Sequence, residues 1–362
     1  MRIGVDARQL CGQPTGVGNY LACLIREWAM ADGHGHQFFL YAPEAVSIAL
    51  DSRRFLTRVV AGSAGTWWEQ VRVPRSLGSD RLDVFFAPDN TAPIALRLPL
   101  VVTIHDVSFA AHPEWFRTRE GLRLRWLSRR AALTARAVIT VSEFSRQELI
   151  DHFGVAGARL HVIPSGVPPR RAVASGPRPP RLLFVGSIFN RRHVIDLIRA
   201  FAPIARRVPN ASLDLAGDNR SFPRQDVEGV IANERLEGRI RWHRYASDEQ
   251  LRELYSRATA FAFLSEYEGL GMTPLEALTA GLPPVVVDTP VAREAYGDAA
   301  LYVQLGALPP ITRALEAALF DEAARAQVLA AAPAVLAKYS WPRAARETLR
   351  VIEAAAGPPT HG

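Results

Sequence analysis

Lysine is nearly missing from this chain: Lys338 is the single lysine among 43 basic residues. Positive charge is therefore almost all arginine, a bias spread so evenly that it reflects genome composition more than the need of any one site. A net charge of +7 still favours anionic partners such as nucleotides, anionic lipid or nucleic acid. No arginine stripe interleaved with base-stacking aromatics is present, which argues against nucleic acid. Cysteine is scarce too. Cys11 and Cys23 stand apart with no CxxC or metal-ligand spacing, which points to a reduced compartment and ordinary thiols. Asp-x-Asp and histidine clusters are lacking, so no metal is expected. No apolar run reaches the ~18 to 20 residues of a membrane span. Met1 leads straight into a strand-like RIGVDA without a signal-peptide pattern, so a cytosolic location is expected.

What is present is the balance of a globular protein: 48% hydrophobic and 22% charged residues. A length of 362 residues exceeds a comfortable single core, and two domains are expected. The division falls at a Pro, Gly and Arg-rich stretch without periodicity. It gives a first domain over 1–166, a linker over 167–180, a second domain over 181–340 and a terminal helix over 341–362. Strand-like and helix-like segments alternate in both halves, the signature of α/β architecture with parallel sheets.

The chemistry concentrates in SEYEGLGMTPLEALTAGLPPVV, residues 265–286. A buried apolar run leads into a turn with Gly269 and Gly271, and a helix opens near Thr273 and Pro274. Free backbone N–H groups and the positive end of the helix dipole make such a turn an anion site. Glu268 and Glu276 bracket it. Carboxylates beside a phosphate would repel it unless they held neutral hydroxyls, such as those of a ribose or hexose. A plain βα unit with solvated glutamates fits the same letters.

Earlier in the chain, a Gly/Pro loop containing Gly16 and Gly18 follows the first strand and opens an amphipathic helix with Leu21, Leu24, Ile25 and Trp28 inward. LDVFFAPDN ends in a polar loop, Pro88-Asp89-Asn90. The strand PLVVTIHDVSF delivers His105 and Asp106 at its tip, either a proton-shuttling pair or a histidine capping the strand. Residues 114–137 read as a helix with Leu122, Trp126, Arg129 and Leu133 on one face and Arg119, Arg123 and Arg130 on another. That helix suits an anionic membrane surface, or an ordinary surface with snorkelling arginines.

In the second half, RLLFVGS and Gly186-Ser187 lead to Arg191-Arg192 at a strand-to-helix crossover, where a guanidinium can meet a diphosphate or remain solvated. Tyr245 and Ala246 end a later strand.

Glu268, seven intervening residues and Glu276, followed by Ala277, Ala280-Gly281 and Pro283-Pro284-Val285-Val286, resemble the E-x7-E signature of retaining GT-B glycosyltransferases of family 4. TGVGNY, APDNTAP, TIHDVSF and TVSEFSR extend the resemblance over most of the chain. It implies two Rossmann-like βα domains facing across a cleft, with the terminal helix crossing back onto the first. It implies that Glu268 faces the donor sugar, and that the stretch Gly269, Leu270, Gly271, Met272 and Thr273 holds sugar hydroxyls and phosphate. Glu276 would hold the ribose, and Gly16, Gly186 and Ser187 the donor, with Tyr245 and Ala246 near the nucleobase. His105, Arg191, Arg192 and Glu268 are the implied catalytic group, and Asp89, Asn90 and Asp106 fall on the acceptor side. The family usually shows Arg-Lys where this chain has Arg191-Arg192.

The resemblance is strongest to bacterial enzymes of surface-polysaccharide assembly, many of them mannosyltransferases. The expected reaction is metal-independent, cofactor-free and retaining. A hexose, mannose first, would move from a nucleotide-diphosphate sugar, GDP-mannose or a UDP-sugar, to a glycan or lipid-linked acceptor. A peripheral contact with anionic membrane on the inner face is implied by the basic helix, and no nucleic-acid partner is expected. A sugar-nucleotide epimerase of the same architecture and a non-catalytic nucleotide-sugar or nucleic-acid binder are the alternatives.

Overall fold

A computed structural model describes residues 1–12, 16–31, 35–46, 50–169 and 179–357. Most of the expected linker, residues 170–178, and residues 13–15 of the first glycine loop lie outside them. The contacts divide the chain into two units, each built on its own parallel sheet. One comprises Met1–Ala111, Thr118–Gly166 and Ser340–Gly362, and the other His112–Arg117 and Val167–Tyr339.

In the first unit the strands are β1 (Arg2–Asp6), β2 (Gln37–Ala42), β3 (Phe55–Val59), β4 (Val84–Ala87), β5 (Leu100–Thr103), β6 (Ala137–Thr140) and β7 (Leu160–Val162). Their order is β3-β2-β1-β4-β5-β6-β7, all parallel. Ile3 sits in register with Phe38 on one side and Val84 on the other. All three are fully buried, because a parallel sheet is covered on both faces and its strands must be apolar throughout. Strand order reverses between β1 and β4, so their carboxyl ends flank the crevice where such sheets place functional groups.

The helix Gly16–Met30 buries Leu21, Leu24, Ile25 and Trp28, the face its spacing predicts. Against it lies the terminal helix Trp341–Ala356, where the Trp28 indole donates to the Ala345 carbonyl at 2.9 Å. Leu349 and Ile352 of that helix are buried in the same core, so the expected return of the C-terminus to the first domain is observed. The basic helix runs Thr118–Thr134 and buries only Gly121, Leu127, Ser128, Ala131 and Ala132. Leu122 and Trp126 are turned to solvent. Around Trp67 and Trp68 the chain is helical, with a π-helical turn over Trp68–Arg72 that passes into a short helix Val73–Ser76. Pro74, which lacks an N–H, opens that second helix.

The second unit holds β8 (Arg181–Val185), β9 (Ser212–Ala216), β10 (Ile240–His243), β11 (Ala260–Phe263), β12 (Pro284–Val287) and β13 (Leu301–Val303). These run parallel in the order β10-β9-β8-β11-β12-β13. Here the reversal falls between β8 and β11. Their carboxyl ends carry the Gly186–Arg192 turn and the Ser265–Gly271 turn, which are thereby brought side by side. Behind β8 the helix Val194–Arg207 buries Val194, Leu197, Ile198 and Phe201, again as its spacing predicts. Among the described residues no helix is long and apolar enough to cross a membrane.

Candidate active site

The turn after β11 is shaped by glycine. Gly271 caps the helix Met272–Thr279 with φ 78° and ψ 68°, a left-handed conformation that is costly for residues with a Cβ. A Cβ there would also lie 2.0 Å from the hydroxyl oxygen of Tyr296. Tyr296 donates that hydroxyl to the Gly271 carbonyl at 2.8 Å. Burial, and after it the nearby Glu268 charge, push the Tyr296 hydroxyl well above its ordinary range, so it stays a donor. Gly269 and Leu270 are buried in the turn, and the Thr273 hydroxyl just inside the helix is buried with no partner among the described residues.

Glu268 stands at the centre of the site. Its Oε1 accepts from Arg192 Nε at 2.8 Å and from Ser265 Oγ at 2.9 Å. Arg192 Nη1 donates to the Ser187 carbonyl at 2.9 Å. Its guanidinium lies over the rings of Phe263 and Phe189, at 5.0 and 5.3 Å. Gly186, with φ 142°, has no room for a side chain, since a Cβ would fall 2.8 Å from Arg192 Nη1. Gly186, Ser187, Arg192 and Glu268 therefore converge. Two opposite charges this shielded from water pair with each other.

Arg191 goes elsewhere. It is 8% exposed and rests on Phe189 at 4.7 Å and Trp115 at 5.9 Å. Among the described residues no carboxylate lies within ion-pair distance of it, and its Nε is buried without a hydrogen bond. Trp115 stacks on His112 at 3.9 Å, with Tyr267 edge-on to both. A buried guanidinium held by aromatic faces keeps its charge uncompensated, as an anion receptor requires. Glu276 accepts from the Tyr255 hydroxyl at 3.3 Å. Tyr245 is exposed and Ala246 half-buried, just ahead of the Ser247–Gln250 capping box of the next helix.

In the first unit, His105 is held from several sides. Its Nε2 meets the Pro88 carbonyl at 2.9 Å, and its backbone N–H donates to Asn90 Oδ1 at 2.9 Å. The ring stands edge-on to Tyr20 at 4.9 Å. A carbonyl cannot donate, so Nε2 carries the proton and Nδ1 is the basic nitrogen. Asp89 accepts from Gln9 at 2.7 Å and from the Asn90 backbone at 2.8 Å. Asp106 accepts from the Ser108 backbone and hydroxyl at 2.9 and 2.6 Å. These acceptor-side candidates thus spend hydrogen bonds on holding the strand tips. Gly16 opens its helix, and among the described residues nothing lies within 4 Å of where a Cβ would sit.

Sequence reasoning missed one cluster. At the end of β1, Arg8 lies between Asp6, at 3.1 Å, and Glu69, in close contact. Thr91 Oγ1 donates to Glu69 at 2.5 Å. Burial pushes the Asp6 carboxyl up to about 6; Arg8 opposes this and Glu69 adds to it. The only local signal is an acidic residue closing a buried strand two positions before an arginine. Among the described residues no group of three or more His, Cys, Asp or Glu side chains is disposed to hold a metal ion.

Two nucleotide-type βα units, the second with a cationic glycine turn against a carboxylate and a helix start, define the GT-B class of glycosyltransferase. Sequence comparison agrees. The family described as Glycosyltransferase Family 4 matches residues 14–171, and Glycosyl transferases group 1 matches residues 170–329. The O-antigen chain mannosyltransferase B of Escherichia coli is 28% identical over 274 residues, 70% of each chain. The GDP-mannose:cellobiosyl-diphosphopolyprenol alpha-mannosyltransferase of Xanthomonas oryzae pv. oryzae is 30% identical over 194 residues, 53% of this chain and 50% of that one. The chain thus spans about half the length of that relative. Sucrose-phosphate synthase from Thermosynechococcus elongatus shares the fold with a TM-score of 0.79 at 16% identity, covering 98% of both chains. The chain belongs to glycosyltransferase family 4, and it is a glycosyltransferase.

Proposed function

We propose that this enzyme moves mannose from GDP-mannose, with retention of anomeric configuration and without a metal, to a lipid-linked glycan in surface-polysaccharide assembly. A UDP-sugar is the second donor choice. The activities for which the Escherichia coli and Xanthomonas relatives are named support the sugar and the kind of acceptor. The observation that carries the reading is the meeting of Arg192, Glu268 and the Gly186–Ser187 turn at the tips of β8 and β11.

In the reaction the bond from the sugar's anomeric carbon to the diphosphate oxygen breaks. An acceptor hydroxyl bonds to that carbon from the same face, and its proton passes to the departing phosphate oxygen. The protein's task is to stabilise the negative charge that develops on the leaving group. Arg191, Arg192 and the amides from Gly269 to Thr273 are assigned to that charge, with Gly186, Ser187 and Gly16 allowing close backbone approach. Glu268 takes a hexose hydroxyl and Glu276 a ribose hydroxyl, while Tyr245 and Ala246 take the base. His105 is assigned to the reacting sugar, and Asp89, Asn90 and Asp106 to the acceptor's surroundings.

A peripheral location on anionic membrane is part of the proposal. Trp67, Leu122 and Trp126 are 68%, 62% and 61% exposed. Arg123 bonds to Thr66 next to Trp67, and Arg119, Arg125, Arg129 and Arg130 of the helix that carries Leu122 and Trp126 are all exposed. Exposed indoles among arginines suit an anionic headgroup layer.

The test is nucleotide release and sugar transfer from GDP-mannose and from UDP-glucose onto a diphosphopolyprenol-linked glycan, with and without EDTA. Transfer from GDP-mannose with an axial anomeric product, undiminished by EDTA, is expected. No transfer from either donor, or dependence on a divalent ion, would overturn the reading.

A further inference from the structure

His193 follows the two arginines and is not used by the chemistry above. It holds φ 45° and ψ 40° at the start of the helix Val194–Arg207, a left-handed conformation that an ordinary side chain adopts at a cost. Its ring accounts for that cost. Nδ1 lies 3.0 Å from Asp196 Oδ2 and Nε2 lies 3.1 Å from Glu266 Oε1. A neutral imidazole has one N–H, so its other nitrogen would turn a lone pair toward a carboxylate. Only the imidazolium can donate to both. Burial opposes the charged ring, but the hydrogen bonds and charges of Asp196 and Glu266 outweigh it and raise the pKa above the ordinary histidine value.

Glu266 is the link to the site. Its backbone N–H donates to the Arg191 carbonyl at 3.0 Å, and two residues on, Glu268 takes the Arg192 bond. Residues 191–193 on the β8 side are thus joined to residues 266–268 on the β11 side by these contacts, of which the His193 bond is the one that depends on a proton an imidazolium gives up as pH rises. We infer that His193, carrying a proton, latches the arginine turn to the loop of Glu268 and so sets the pH range over which the donor diphosphate is held. The inference rests on the donor reading above.

The groups facing His193 are Asp196 on its own helix, itself acted on by Arg199, and Glu266 on the loop after β11. Arg191 and Arg192 precede it in the turn. When the ring loses its proton, one of its two bonds becomes a contact between lone pairs. The hold on Glu266 weakens, and the positive charge that follows Arg191 and Arg192 in the turn is lost with it.

The test is calorimetric titration with GDP-mannose and UDP-glucose from pH 6 to 8.5, a range in which neither the disubstituted diphosphate nor the base of the nucleotide sugar changes charge appreciably. The unaltered protein is expected to bind about two- to fivefold more weakly at the alkaline end, the scale of one partly exposed ion pair. On the alkaline side of the His193 titration it should take up protons on binding, seen as a dependence on the ionisation heat of the buffer. His193→Asn, which suits the left-handed backbone, and Glu266→Ala, which leaves that backbone alone, should each abolish the step and the uptake. Ring nitrogen NMR should show His193 keeping both ring protons to higher pH than an ordinary histidine does. Binding whose pH profile is unchanged in both variants, or a ring that loses its second proton at or below the pH of an ordinary histidine, overturns the latch while leaving the donor reading intact. Failure of both nucleotide sugars to bind at any pH overturns the donor reading, and this inference with it.

Discussion

Arg192 and Glu268 are 76 residues apart in the chain and 2.8 Å apart at the tips of neighbouring strands. The pair brings the cation assigned to the diphosphate and the carboxylate assigned to the sugar into one hydrogen bond. On the proposed assignment a donor exchanges this bond for its own contacts with the two side chains.

Removing either partner should be severe. Arg192→Ala and Glu268→Ala are each expected to lower kcat on the order of a hundredfold or more, the usual loss when a group facing developing charge is deleted. Arg192→Lys tests the fork itself. Lysine can replace the charge but not the simultaneous bonds to Glu268 and the Ser187 carbonyl, so roughly tenfold of kcat/KM should be lost. Steady-state kinetics that leave Glu268→Ala at full turnover would refute the assignment.

Arg191 should behave differently from its neighbour. Its seat on Phe189 and Trp115 makes Trp115→Ala a mild surrogate for Arg191→Ala, and both should weaken donor binding with little loss of fold. About 0.5–2 kcal/mol is the scale of a cation–π contact. Equal donor affinity in Trp115→Ala and the unaltered protein, measured by calorimetry, would show that the stack does not orient Arg191.

Gly271→Ala should destabilise the second unit. The left-handed backbone alone costs about 1–2 kcal/mol, and the added Cβ meets the Tyr296 hydroxyl. Tyr296→Phe combined with it removes the obstructing oxygen but not the backbone cost, so it should recover only part of the loss. Thermal melts of the single and double variants measure both contributions.

The buried Asp6 makes stability depend on acidity. Its carboxyl pKa is raised to about 6 in the folded chain, so the folded state holds that proton more tightly than the unfolded one. The corresponding stabilisation is complete below about pH 4 and is lost as pH rises through about 6. Asp6→Asn has no such proton to lose. Its stability relative to the unaltered protein should rise by about 2–3 kcal/mol between pH 4 and pH 7.5 in urea melts, whereas a constant difference would contradict the shift.

Membrane docking can be separated from catalysis. Trp126→Glu and Trp67→Glu, both at exposed positions, should abolish flotation with vesicles containing anionic phosphatidylglycerol while leaving binding of GDP-mannose unchanged. Flotation of neither the variants nor the unaltered protein would remove the membrane part of the proposal.

Much of this was legible in the letters. The inward faces of the helices at Leu21, Leu24, Ile25 and Trp28, and at Val194, Leu197, Ile198 and Phe201, follow from residue spacing, because an α-helix turns every 3.6 residues whatever its surroundings. Gly271 and Gly186 marked turns that the backbone confirms with positive φ. The Glu-x7-Glu spacing located the glycine turn and the helix it opens.

Other features depended on partners far along the chain. Nothing local distinguishes Arg191 from Arg192, yet Arg192 pairs with Glu268, whereas among the described residues no carboxylate lies within ion-pair distance of Arg191. Asp89, Asn90 and Asp106 are polar residues at strand ends, and only folding shows that they brace Gln9, His105 and Ser108. Arg8 is bracketed by Asp6 and by Glu69, 61 residues later, and no window of sequence contains both.

By itself the sequence determined where strands and helices lie, which faces are buried and where the backbone must turn through glycine, since those follow from short-range sterics and the periodic burial of apolar groups. Which charge meets which was decided only by the tertiary structure. Ion pairs and stacking contacts form between strand tips that parallel sheet order, not chain order, makes neighbours.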